Sequence, residues 1–338
     1  MRAAGGRVGR WGRSAAGLRL VAAFVVVPVL SGSCMRTGGG EARQVARAAK
    51  AAEGASRTNR DIAPDLVKYR QVSQIETGLK EPRGIAVGPD GLLYVVGDQG
   101  VRVFGRDGAF QRAVPLNGAP TCVAVDGAGA LLVGYRQGVS ITEPTGQTRA
   151  TWTVPGEHPY VTCVTPAGET VWVADAGGRV VLRYDRSGKP LGRLGERDDR
   201  RGVPGLLCPS PHLDVVAGPQ GLLLVSDPGR LALETYTAEG KLVSSWHKAS
   251  MAVDGFCGCC NPTDIALLPD GRVVTAEKGI PRVKILNPNG TVNCVVARPS
   301  DLSAGASGLD LAIDPAGRVF VLDRPARLVR IFAEEARR

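Results

Sequence analysis

Several catalytic signatures are missing from this chain. There is no GxSxG elbow for a nucleophilic serine, no HExxH pair for zinc and no glycine-rich phosphate loop. No CxxCH occurs, which excludes covalent c-type haem. Histidine is scarce, with three in 338 residues. The domain also lacks an excess of charge of one sign. The chain totals 42 basic and 32 acidic residues, yet residues 1–60 hold 11 of the basic and 2 of the acidic ones. The remainder holds 31 and 30, so the high pI belongs to the N-terminal tail. Nucleic-acid binding needs a basic face on the domain itself, and this balance gives no sign of one. The cluster Arg197–Arg201 (RDDRR) reads as a solvated loop.

What is present is a repeat. Six copies read PRGIAVGPDGLLYVVGD (from Pro82), PTCVAVDGAGALLVGY (Pro120), PYVTCVTPAGETVWVAD (Pro159), HLDVVAGPQGLLLVSD (His212), PTDIALLPDGRVVTAE (Pro262) and GLDLAIDPAGRVFVLD (Gly308). Each is an apolar run, a turn containing Gly91, Gly129, Gly168, Gly221, Gly271 or Gly317, and a second apolar run that usually ends on an acid. The turn glycines recur at intervals of 38 to 53 residues, and several short strands per unit at such a period predict propeller blades. Pro presets φ and Gly tolerates positive φ at the turns. One such sheet cannot bury both faces alone, so the units must stack, and a closed ring leaves no unpaired end blade. The segment Val67–Ile75 precedes the first unit and lacks its turn. It is expected to pair beside Leu328–Phe332 as the outer strand of the last blade. The fold class is therefore all-β, a six-bladed propeller over residues 67–333 with a tail at 334–338.

The units resemble NHL repeats, in the superfamily of TolB-like propellers. The resemblance rests on Pro-x-x-hydrophobic-Ala-Val, the PDG-like turn, the YVxD-like ending and the following strands Val101–Phe104, Val181–Tyr184, Val283–Leu286 and Val329–Phe332. It implies a binding platform, although relatives of the same shape include lactonases and an amidating lyase, so fold does not settle function. The segment GFCGCCNPTDIALLPDG is similar to one in exported bacterial propellers of this type. Gluconolactonase-like relatives hold a divalent ion with Glu, Asn and Asp. This chain offers Asp214, Asp264, Asp310 and Asn261 but lacks the matching glutamate near the start of its first blade. Amidating-lyase chemistry wants several tunnel histidines, more than this chain supplies.

Residues 1–34 have the layout of an export signal. Arg2, Arg7, Arg10, Arg13 and Arg19 precede the apolar stretch Val21–Leu30, followed by Ser31-Gly32-Ser33 and Cys34. No two arginines are adjacent there, which favours the unfolded export route over the twin-arginine one. Cys34 is a candidate for lipidation, although Leu30 sits one place too far from it for the usual lipobox. Cleavage and a retained anchor stay open as alternatives. Residues 35–66 read as a flexible tether. The expected location is the periplasm or cell envelope, with membrane contact through the N-terminal segment.

Seven further cysteines are Cys122, Cys163, Cys208, Cys257, Cys259, Cys260 and Cys294. Outside the cytosol disulfides are the default, and adjacent cysteines rarely bridge each other. Cys208, in the lead-in of the fourth unit, is the expected partner of the Cys257–Cys260 segment. The alternative is a metal: thiolates with imidazole suit zinc or copper(I), carboxylates suit calcium. Iron–sulfur assembly does not suit a chain exported unfolded. Two residues into each repeat stand Gly84, Cys122, Val161, Asp214, Asp264 and Asp310. Pseudo-symmetry sets the three aspartates at one height near the tunnel mouth, flanked by His212 and the Cys-bearing lead-ins. An aspartate here can instead hydrogen-bond the next blade. The strand-ending acids Asp98, Asp175, Asp227, Glu277 and Asp323 read as turn caps. His158 and His247 read as surface or packing residues. The function expected is a module binding a protein or small ligand on the blade 4–6 face. The alternative is a metal-dependent hydrolase or redox-linked protein using the aspartates or the Cys cluster.

Overall fold

The computed structural model describes residues 62–335. The proposed export signal, Cys34 and the tether up to residue 61 lie outside them. Six four-stranded antiparallel sheets follow one another along the chain. Their innermost strands are Pro82–Val87, Pro120–Val125, Val161–Ala167, Val215–Ala217, Asp264–Leu267 and Asp310–Ile313. These inner strands contact one another in succession, and the sixth meets the first, so the ring is closed. Left-handed backbone at the turns, as at Gly91 (φ 76°) and Gly317 (φ 78°), fits the glycine there.

The expected closure is observed. Tyr69–Glu76 pairs antiparallel with Leu328–Glu334 and forms the fourth strand of blade 6. The first strand of the domain thus completes its last sheet, leaving no free end blade. The last strand runs one residue beyond the expected boundary, to Glu334.

The core is six interfaces rather than one centre. Buried apolar clusters lie between consecutive blades: Val101, Val103 and Leu131 between blades 1 and 2, Leu132, Ile141 and Val173 between 2 and 3, Trp172, Val181 and Val225 between 3 and 4. Leu233, Phe256 and Ile265 fill the fourth seam, and Val274, Ile285 and Val321 the fifth. The closing seam is packed by Ile75, Ile85, Val95 and Leu322. Each sheet thus buries both faces only because it has two neighbours. The charged stretch near residue 200 forms a small separate hairpin, Arg197–Asp198 with Val203–Pro204, carrying solvated ion pairs of Arg197 with Asp199 and Arg201 with Asp198.

Ile75 is 5% exposed in the closing seam. Ile75→Ala is expected to remove about 2–5 kcal/mol of stability. Urea unfolding checks it, and a loss below ~1 kcal/mol would mean that closure does not depend on this strand's packing.

Candidate functional site

The hydrogen-bonded register identifies equivalent residues around the tunnel. Gly84 faces Val96, Cys122 faces Gly134 and Cys163 faces Ala174. Asp264 faces Ala276, Asp310 faces Leu322, and Asp214 immediately precedes Val215, which faces Val225. One layer therefore reads Gly, Cys, Cys, Asp, Asp, Asp. Repeat counting assigns Val161 to this layer in blade 3. The pairing places Cys163 there instead, because Val161 faces the last residue of its second strand as Pro82 and Pro120 do.

Each aspartate crosses a seam between blades. Asp214 Oδ2 accepts a hydrogen bond from the Ile265 N–H at 2.7 Å, Asp264 Oδ2 from Leu311 at 2.6 Å, and Asp310 Oδ2 from Ile85 at 2.7 Å. Blades 4, 5, 6 and 1 are laced in series by these bonds. At the third seam the direction reverses. Thr162 Oγ1 donates to the Leu213 carbonyl at 2.5 Å and Cys163 Sγ to that of Val215 at 3.4 Å. Gly84 serves the first seam by its smallness, since a Cβ there would stand 3.1 Å from Cys122 Cα.

The layer is ringed by protein, with Asp264 and Asp310 half-buried between cavities that open on either side of it. Desolvation, then repulsion from Asp214 and Asp310, push the Asp264 carboxyl well above the usual range. Burial pushes Asp310 up to about 7, while its bond from Ile85 and the Arg324 guanidinium pull the other way. Burial likewise pushes the Cys122 thiol up to about 12 and raises Cys163. Both are neutral thiols at pH 7 rather than nucleophilic thiolates.

On one side of this layer the tunnel widens into a cavity of about 360 Å³. Its base is formed by Asp264, Asp310 and the residues one position earlier in each inner strand or its lead-in: Arg83, Thr121, Thr162, Leu213, Thr263 and Leu309. Arg136, Tyr160, His212 and Arg324 form its wall. Arg136 and Arg324 directly follow the second strands of blades 2 and 6, Leu131–Tyr135 and Val319–Asp323. Lys278 holds the same place after Val273–Glu277 and donates to Ser210 Oγ at 3.1 Å. Burial, Lys278 and Arg324 hold the His212 imidazole down at about 4, so it is neutral at pH 7. Gly308, with φ 61°, makes room for the wall. A Cβ there would stand 3.0 Å from Arg324 Nη1 and 3.5 Å from His212 Cε1.

Of the expected site residues, Asp214, Asp264, Asp310 and His212 converge on the tunnel, but the others do not. Asn261 is fully buried. Its Oδ1 accepts from the Lys278 N–H at 2.8 Å, and its Nδ2 donates to the carbonyls of Cys257 at 2.6 Å and Lys278 at 2.9 Å. It fastens the fifth lead-in. All seven cysteines among the described residues are free thiols, so the expected bridge from Cys208 to the Cys257–Cys260 segment is not formed. Cys208 Sγ donates instead to the Ser210 carbonyl at 2.9 Å, Cys257 and Cys260 are buried, and Cys259 is exposed. Among the described residues no group of three or more His, Cys, Asp or Glu is arranged to hold a metal ion, which leaves the calcium, zinc or copper expectation without a ligand set.

Of the strand-ending acids expected to cap turns, Asp175 and Asp227 do so, accepting from the N–H groups of Gly177 and Arg230, but the commoner role is to hold a lead-in. Asp98 accepts from the N–H groups of Lys80 and Glu81, Asp175 from Tyr160, Asp227 from Leu207 and Asp323 from Ser303. Each holds the lead-in of its own blade. Glu277 departs from the pattern and pairs with Arg282 at 2.8 Å and Lys284 at 3.1 Å, all three nearly inaccessible to water. Both cations donate to the Gly255 carbonyl, and Lys284 Nζ lies 4.4 Å from the Phe256 ring centre. This buried group pins the insertion that carries the Cys cluster.

No protein-family model matches the chain, and no curated protein matches it. Solved structures match it by shape. The WD40 β-propeller domain of Doa1 is similar with a TM-score of 0.56 and 14% identity, over 79% of this chain and 97% of that one. A streptogramin B lyase gives 0.56 and 11%, over 81% and 100%. A gluconolactonase from Xanthomonas campestris gives 0.56 and 17%, over 77% and 88%. The chain is a six-bladed β-propeller. At these identities the likeness shows the fold alone.

The carboxyl layer makes stability depend on pH. Asp264 and Asp310 hold protons in the folded state that the unfolded chain releases near pH 4. That stability is complete below pH ~4 and is lost as pH rises through the folded values, about 7 for Asp310. His212 has the opposite sign, because its depressed value removes stability as pH falls from ~6.5 toward about 4. The melting temperature is therefore expected to rise between pH 8 and 6.5, before His212 opposes it, and Asp264→Asn should flatten that rise. Asp264→Ala should instead lower stability by about 1–3 kcal/mol, because the Leu311 N–H loses its acceptor. Equal behaviour of the two variants in calorimetry at both pH values would count against this assignment.

Proposed function

We propose that this chain is a ligand-binding propeller of the NHL type, and that its site is the funnel at the Asp214–Asp264–Asp310 end of the tunnel. The observation that carries this reading is convergence. Every blade sends a side chain to one concavity: Arg83 from blade 1, Thr121 and Arg136 from blade 2, Tyr160 and Thr162 from blade 3, His212 from the fourth lead-in, Asp264 from blade 5, Asp310 and Arg324 from blade 6. A cavity of about 360 Å³ suits a small molecule or the terminal group of a larger one. The same polar side chains would fix its orientation. A flat protein partner would leave them unfilled.

Binding is favoured over catalysis by the state of the polar groups. The three carboxylates each commit one oxygen to a backbone N–H of the next blade, and the tunnel thiols are neutral. We further propose that the domain works outside the cytosol, tethered through its N-terminal segment. The basic, apolar and small-residue order ahead of Cys34 supports this. A soluble cytosolic pool of the full-length chain on cell fractionation would overturn the location.

Ala119 lines the funnel and is exposed, so Ala119→Trp should fill the cavity without disturbing a seam. A panel of small metabolites is expected to include compounds that raise the melting temperature of the full chain but leave that variant unmoved. No compound raising it, or equal rises in both proteins, would sink the reading.

A further inference from the structure

Charges in the funnel do not balance. Among the described residues, Arg83 is paired with Glu81 at 2.6 Å, whereas neither Arg136 nor Arg324 has a carboxylate within ion-pair distance. Arg136 rests on the Tyr160 ring, 5.1 Å from its centre, which leaves its guanidinium hydrogens free to donate. Arg324 spends one Nη2 bond on the Arg83 carbonyl, and its Nε is buried with no hydrogen-bond partner. A guanidinium nitrogen left unsatisfied away from water is costly, so its retention needs a reason.

The surroundings remove the usual compensation. Asp264 and Asp310 are the nearest carboxyls below Arg324, and their mutual proximity and burial favour the protonated form. His212 is neutral and adds no negative charge. Lys278 adds a further cation near His212. The cavity is thus a positive concavity over a floor where the Thr121 hydroxyl and the protonated carboxyls of Asp264 and Asp310 can donate hydrogen bonds.

We propose that the funnel binds an oxyanion, a carboxylate or phosphate group of a small molecule, seated between Arg136 and Arg324. This rests on the funnel being the ligand site. Planar guanidinium forks match both groups, and Thr121 at the base offers a hydroxyl within the same cavity. The anion supplies the counter-charge that the Arg324 guanidinium lacks. Repulsion between the two guanidiniums falls at the same time.

The test measures the melting temperature of the full chain at low salt with inorganic phosphate, with citrate and with glucose as a neutral control. Phosphate or citrate is expected to raise it and glucose to leave it unchanged. Which anion acts separates a phosphate from a carboxylate ligand. Arg324→Met and, independently, Arg136→Met should weaken the effective anion by about tenfold or more. Arg136 is exposed, so its variant keeps the test available if Arg324→Met fails to fold. An equal anion response in wild type and Arg136→Met would overturn the proposal. So would the absence of any response to either anion. If neutral compounds then stabilise the wild type but not Ala119→Trp, the oxyanion class is wrong while the funnel stands as the site. If nothing stabilises it, both readings fall.

Discussion

The side-chain bond that leaves one blade and ends on the backbone of the next is the constraint on which the rest depends. A propeller has no central core, and its apolar clusters lie in six seams. Near the axis the inner strands are short, three residues in blade 4 and four in blades 5 and 6, so little apolar surface is available there. Asp214, Asp264 and Asp310 stand at these short strands and reach Ile265, Leu311 and Ile85. Blades 1 to 3 have longer inner strands and use a glycine, a thiol and hydroxyls at the same level. Polar lacing thus replaces packing where packing is thinnest.

That solution sets the chemistry of the tunnel. Burial, with repulsion from the neighbouring carboxyls, adds to the cost of ionising Asp264 and Asp310. The resulting tendency toward protonation weakens the counter-charge available to Arg324. Guanidiniums that would be half neutralised over an ionised floor therefore dominate the field of the funnel. Structure and recognition are coupled through the same three residues: the bonds that keep the ring together also leave its mouth positive.

The ring was legible because its signals are periodic. Six turn glycines, six pairs of apolar runs and a leading strand without a turn define six blades and their closure. The three aspartates were legible for the same reason, and so was their alternative role as bonds to the next blade. Blade 3 is misaligned by counting because Val161, not Pro159, is paired as Pro82 and Pro120 are, so the motif proline there lies two residues early. The cationic wall was missed although its signal is periodic too. Arg136, Lys278 and Arg324 each follow the second strand of a blade, visible as GYR, AEK and LDR. Reading the position one residue past the end of each second strand would have collected them. The roles of Asn261 and Glu277 were not legible, because Asn261 and the cations paired with Glu277 bond to an insertion whose path the repeat does not dictate. The thiols follow the same logic, since composition suggests a bridge while the path of the loop decides whether two sulfurs meet.

The Cys-bearing insertion shows how such an irregular segment can be fixed without disulfides. Glu277, Arg282 and Lys284 form a buried charged group whose spare donors end on carbonyls of residues 252–255. Burying three charges is expensive, and opposite pairing alone offsets it only when the remaining hydrogens also find acceptors. Here they do, so the insertion is held by the charges rather than merely covering them. Burial and the adjacent Arg282 pull Lys284 down to about 8 against the attraction of Glu277, a sign of how complete the desolvation is. The contrast with Arg324 is informative. Blade 5 satisfies its buried cations from its own loop, whereas blade 6 leaves a buried guanidinium nitrogen without an acceptor beside the open cavity. A chain that gives its buried cations a carboxylate and backbone acceptors at one seam and leaves the guanidinium at the tunnel mouth without a counter-charge has, at that mouth, a place for an anion.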